Sequence, residues 1–149
     1  MIELLIVLAL VSLIVGIMFP SISSGVDSLR LQQAADGIAG FINSGLNRAE
    51  RKQVVVELTV DRAANELWLR STEAGFVQTL EMPEGVRIIN VLPQIPDETA
   101  TSRHFEMYPG GAPTRAGVVI ENRKGARRIV RVDPVTGVPQ VERPEQGTK

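Results

Sequence analysis

The sequence predicts an α+β protein: one long N-terminal helix, membrane-spanning in its first half and amphipathic in its second, packed on a C-terminal antiparallel sheet or sandwich. Three observations carry that prediction. Leu4 through Val26 contains no charged residue, and at ~1.5 Å per residue it makes about 34 Å of helix, enough for a hydrocarbon core of roughly 30 Å. Apolar residues then recur at steps of three and four up to residue 52. From Gln53 onward the period falls to two, in short runs punctuated by glycine and proline. A membrane anchor over 1–26, an amphipathic helical half over 27–52 and a β-rich domain over 53–149 follow.

Within the first segment Glu3 is the one charge before Asp27. A carboxylate drawn into a bilayer costs on the order of 2.5–3.5 kcal/mol at mid-depth, so Glu3 needs compensation there. Pro20 removes a helical hydrogen bond, and with Gly16 and Gly25 it marks a kink or a locally melted turn. In the second segment Leu31, Ala35, Ile38, Phe41 or Ile42, Leu46 and Ala49 form one apolar stripe, while Asp27, Arg30, Gln32, Asp36, Asn43, Asn47 and Glu50 fall off it. Gly37, Gly40 and Gly45 are expected where the helix packs closely on the sheet.

Eight strands are predicted beyond the helix. Val54 to Val60 alternates, Asp61 to Asn65 turns, and Leu67 to Leu69 returns. Phe76 to Met82 and Val86 to Val91 follow across Pro83-Glu84-Gly85. Residues 93–102 hold two prolines and mostly polar side chains, and read as a loop. Arg103 to Tyr108, Ala116 to Glu121, Arg127 to Val132 and Val138 to Val141 complete the set, and 143–149 is a fraying polar tail.

Composition excludes several chemistries. The chain has 149 residues with 16 basic and 17 acidic, so without Glu3 the remainder is neutral and net charge selects no partner. With no cysteine, there is neither a disulfide framework nor a thiolate nucleophile. His104, the one histidine, reads as an ordinary sheet residue beside Arg103. Ser21, Ser23 and Ser24 have no acid or histidine at motif spacing, and Asp97, Glu98 and Asp133 match no cation loop. No catalytic set, cofactor or metal is therefore expected.

The order Ile2-Glu3-Leu4-Leu5-Ile6-Val7-Leu8-Ala9-Leu10-Val11, followed by Gly16 and Pro20, resembles the N-terminus of type IV pilins and type II secretion pseudopilins. Met1, Ile2 and Glu3 match the third, fourth and fifth residues of the processed chain in that family. The leader, its glycine and the first two mature residues are not among the 149, so prepilin-peptidase cleavage and a methylated N-terminus are implied by the resemblance alone. No basic residue precedes the apolar run, which reads as a retained anchor instead of a secretory signal. A second stretch, Phe105 to Gly111 and then Val132-Asp133-Pro134-Val135-Thr136-Gly137, resembles the GspH/FimT type: Gly110 or Gly111 matches its glycine and Thr136-Gly137 its final turn. Residues 53–102 resemble nothing nameable, and the aspartate-rich calcium loop of the major pseudopilin type has no counterpart.

The resemblance implies a minor pseudopilin held once in the inner membrane with its C-terminal domain in the periplasm. Its partners would be other pseudopilins in a helical filament, the prepilin peptidase and the inner-membrane assembly platform, and the filament would drive protein export. Glu3 would pair with the N-terminal amine of a neighbouring subunit, and Pro20 would shape the helix. The alternative is a type IV minor pilin that holds DNA. It is raised by the local balance between Arg103 and Arg131, seven basic residues against Glu106 and Glu121. Alternation sets Arg127 and Arg131 with Ile129 on one face and Arg128 with Val130 and Val132 on the other. Arg123, Lys124, Arg127, Arg128 and Arg131 thus read as a charged strand edge, a DNA patch or a site for an acidic neighbour, with nucleic acid the less expected partner.

Overall fold

The computed structural model describes residues 2–95 and 99–144, with the backbone alone for 17–24. Among the described residues one helix, α1 (Ile2–Lys52), precedes eight strands: β1 (Val56–Asp61), β2 (Glu66–Ser71), β3 (Val77–Glu81), β4 (Val86–Leu92), β5 (Ser102–Met107), β6 (Gly117–Asn122), β7 (Arg127–Val132) and β8 (Pro139–Glu142). They form two four-stranded antiparallel sheets, ordered β3-β2-β1-β5 and β4-β6-β7-β8. The α+β class and all eight predicted strands are present. The tail beyond 144 and the residues Asp97 and Glu98 lie outside the described residues.

The helix packs on both sheets through its second half. Leu31, Ala35, Ile38 and Ile42 are wholly buried, and they meet Val56, Leu58, Val60, Leu67 and Leu69 of the first sheet and Val118, Ile120, Val130 and Val132 of the second in one core. The predicted stripe is therefore the core face, with Phe41 and Leu46 at its half-buried margin. The helix ends where Gln53 enters the left-handed region (φ 55) and the Val54 N–H reaches the Ala49 carbonyl at 3.3 Å, which closes the last turn.

Three side chains bind the layers together. Asn65, itself left-handed in the β1–β2 turn (φ 60), donates through Nδ2 to the Val86 carbonyl and accepts the Ile88 N–H, so one amide joins the two sheets. The Arg48 guanidinium lies 3.6 Å over the Phe76 ring and 2.6 Å from Glu73, which fastens the helix to the β2–β3 hairpin. The Glu50 carboxylate accepts the Gly110 N–H at 2.8 Å and holds the β5–β6 connection against the helix end.

Two sequence expectations are narrowed. The helix is continuous through Gly16, Pro20 and Gly25, with no melted turn between its halves. Of the three glycines expected at the sheet, only Gly45 is there: a Cβ would fall 2.7 Å from Leu69 Cδ2, whereas Gly37 and Gly40 face open space. The difference follows from the position of each on the helix, since Gly45 lies one turn beyond the buried Ile42 and the other two sit on the solvent side.

Candidate functional site

The first half of α1 carries the longest run of exposed apolar side chains among the described residues. From Ile2 to Val15, eleven large apolar side chains are between 50% (Val11) and 76% (Ile2) exposed. Among the described residues no helix is long and apolar enough to cross a membrane. The described part of the N-terminal apolar run ends at Gly16, about 22 Å of helix at ~1.5 Å per residue. The remainder of the predicted span, 17–24 with Pro20, lies outside the described side chains. Glu3 heads this exposed surface, in the first described turn of the helix.

The basic strands form a second candidate. Arg127 and Arg131 point away from the core on β7, while Arg128, Val130 and Val132 turn toward the helix, as alternation predicts. Every one of the five cations has a partner. Arg127 Nε lies 3.4 Å from Glu121, and Arg131 Nη2 lies 2.8 Å from Glu142, both across hairpin ladders. Arg123 meets Glu84 at 2.5 Å, and Lys124 approaches Asp27 of the helix at 3.6 Å. Arg128 Nε donates to the Gln32 side chain at 3.2 Å. The Arg123 hydrogen bond, then its charge, holds the Glu84 carboxyl below its ordinary value. The apparent excess of positive charge in the sequence is therefore offset in part by carboxylates from outside the stretch, on β8, the β3–β4 turn and the helix.

His104 sits on the outer face of β5, its Nδ1 2.9 Å from Thr59 Oγ1 and 3.4 Å from Glu57. These groups are a cross-strand row, since Thr59 pairs with His104 in the register. Among the described residues no three histidine, aspartate or glutamate side chains converge as a metal site would require. Asp133 serves a turn: its carboxylate accepts the Val135 and Thr136 N–H groups at 2.7 and 2.9 Å, and Gly137 is left-handed (φ 72). Those bonds, Thr136 first, hold the Asp133 carboxyl below its ordinary value. The Glu106 carboxylate bonded to the Tyr108 hydroxyl raises that phenol above its ordinary value.

Sequence reasoning missed Arg48, Glu50 and Asn65, which order the domain. Each acts over a long chain separation, and none stands in a motif. Their one local signal was a polar residue at the end of an element. No protein-family model, no curated protein and no solved structure matches the chain.

Proposed function

We propose that the chain is a structural subunit of a membrane-anchored helical filament, a minor pseudopilin of the type II secretion kind. The observation that carries this reading is the division of α1. One half is buried under two sheets, and the other presents eleven large apolar residues to the surroundings behind a lone carboxylate. Exposure on that scale is unfavourable in water by on the order of 10 kcal/mol, taking a fraction of the ~1.5–3 kcal/mol for each fully buried side chain. A bilayer before assembly and the helices of neighbouring subunits after it each remove the surface from water. The anchor extends through 17–24 to Val26, and the β domain lies on the periplasmic side. Precursor processing by a prepilin peptidase and delivery through an inner-membrane platform belong to the same proposal.

Glu3 supplies the specificity of assembly. A carboxylate entering an apolar filament core is tolerable when paired with a neighbouring N-terminal amine and costly when left alone. Glu3→Ala should give a membrane-inserted, folded protein that is missing from cross-linked filaments. Its normal incorporation would refute the proposal. The paired state of Arg123, Lys124, Arg127 and Arg131 gives less support to a DNA-holding subunit.

A further inference from the structure

Among the described residues strand β3 is an open sheet edge. In the β2–β3 ladder the Ser71 N–H donates to the Phe76 carbonyl at 3.4 Å and the Met82 N–H to the Asn65 carbonyl at 3.2 Å. Both contacts continue the register that sets Leu69 opposite Gln78 and Leu67 opposite Leu80. Hydrogen-bonded pairs alternate in an antiparallel ladder, so Gln78 and Leu80 turn their peptide groups to β2. Val77, Thr79 and Glu81 turn theirs outward, where all three residues are exposed.

The other three edges are blunted. β8 starts with Pro139, β4 is bulged between Ile88 and Asn90, and beside β5 the Arg103 side chain reaches across to the Val91 and Pro93 carbonyls. β3 has no proline, bulge or cation along its length, which are the usual protections of an edge.

Its outer face is also charged in a definite pattern. Asp61, Glu66 and Glu81 lie directly opposite one another on three successive strands. No ion pair among the described residues includes any of them. Like charges so placed are mutually destabilising. One pair of residues along, the row is Thr59, Trp68 and Thr79, and beyond that Glu57, Arg70 and Val77.

We propose that β3 accepts an extended segment of a partner protein as an added antiparallel strand, with a lysine or arginine opposite Glu81, a β-branched residue opposite Thr79 and an apolar residue opposite Val77. Such a strand satisfies the three outward N–H and three outward C=O groups, and its cation ends the row of carboxylates. The residue opposite Leu80 lies on the core side, where Leu80 is already half-buried, and is apolar. A second copy of β3 is a poorer fit. Placed antiparallel about Thr79, it sets Val77 against Glu81 and brings no cation to the row.

The test uses the full chain in detergent micelles and the probe peptide Ser-Lys-Val-Thr-Gln-Val-Ser. Trp68 is the only tryptophan and lies on the strand next to β3, so its fluorescence reports occupancy. Saturable binding is expected, with slowed amide exchange at Val77, Thr79 and Glu81 and no change at Gln78 and Leu80. Exchanging the peptide lysine for glutamate should weaken binding roughly tenfold, and Glu81→Lys in the protein should reverse the preference. N-methylation of the peptide threonine should abolish binding. Equal affinity for the two peptides, or binding without protection of those three amides, overturns the proposal. Protection of the same amides by raised protein concentration alone assigns the edge to a second copy, and overturns it too.

Discussion

Gly45 tests the helix–sheet interface most sharply, because two effects of opposite sign meet there. Replacing a glycine in a helix interior by alanine stabilises the helix by about 0.8–1 kcal/mol. At Gly37 and Gly40 nothing lies within 4 Å of the new Cβ, so each alanine should deliver that gain. At Gly45 the Cβ meets Leu69 Cδ2 at 2.7 Å and Met107 Sδ at 3.1 Å, and both side chains are buried, 0% and 1% exposed. Both side chains must shift within the core to admit the methyl group, and overpacking of this kind costs typically ~1–3 kcal/mol. Gly45→Ala should therefore be neutral to ~2 kcal/mol destabilising, in contrast to the stabilising Gly37→Ala. Thermal unfolding of the full chain at fixed detergent composition reads this as shifts of about 2–4 °C per kcal/mol for a chain of this size. A double-mutant cycle isolates the contact. In a Leu69→Ala background, itself weakened by ~2–5 kcal/mol, Gly45→Ala should shift in the stabilising direction, because the nearest obstacle is gone and only Met107 Sδ at 3.1 Å remains to give way. If Gly45→Ala raises the melting temperature as much as Gly37→Ala, the close approach of helix and sheet is refuted.

Three further outcomes follow from the same geometry. A chain beginning at residue 27 should fold, whereas one beginning at 53 loses the fully buried Leu31, Ile38 and Ile42. At ~2–5 kcal/mol each those losses match or exceed a typical domain stability of about 5–15 kcal/mol, and equal denaturant midpoints for the two would refute the shared core. The joint replacement of Arg127, Arg128 and Arg131 by glutamine should change no saturable DNA binding, because none is expected at physiological salt. A log–log salt slope near −4 to −5 that disappears in the triple variant would restore the DNA patch, on the rule of roughly −0.9 per phosphate contact. Asp133 has a lowered folded pKa, so its stabilisation is present above its unfolded value and fades as pH falls through the folded one. Asp133→Ala should thus lower the melting temperature at neutral pH and converge with the parent at strongly acid pH, and a constant gap across that range would refute the turn assignment.

The strands were legible because each is a local pattern. Val56, Leu58 and Val60 alternate with Glu57 and Thr59, and left-handed glycines such as Gly85, Gly125 and Gly137 stand between strands. The helical stripe from Leu31 to Ala49 was legible for the same reason, since burial at a fixed period leaves its trace in consecutive residues. The alternation of β7 likewise set Arg128 apart from Arg127 and Arg131 before any partner was known.

Pairing across the chain left no such trace. β1 lies between β2 and β5, and the Thr59–His104 pair joins residues 45 apart. The sequence displayed an excess of positive charge from Arg103 to Arg131, and tertiary structure set Glu84 beside Arg123 and Asp27 beside Lys124 to offset it. It displayed three similar helical glycines, and only the docking of Leu69 and Met107 singled out Gly45. It displayed eight strands of comparable character, and only the order of the sheets left β3 with an edge that is unpaired among the described residues. Periodicity is a property of neighbours in sequence, so the sequence alone determined the elements, their buried faces and the unshielded apolar half of the helix. Charge matching, steric fit and edge exposure belong to neighbours in space, and these the tertiary structure decided.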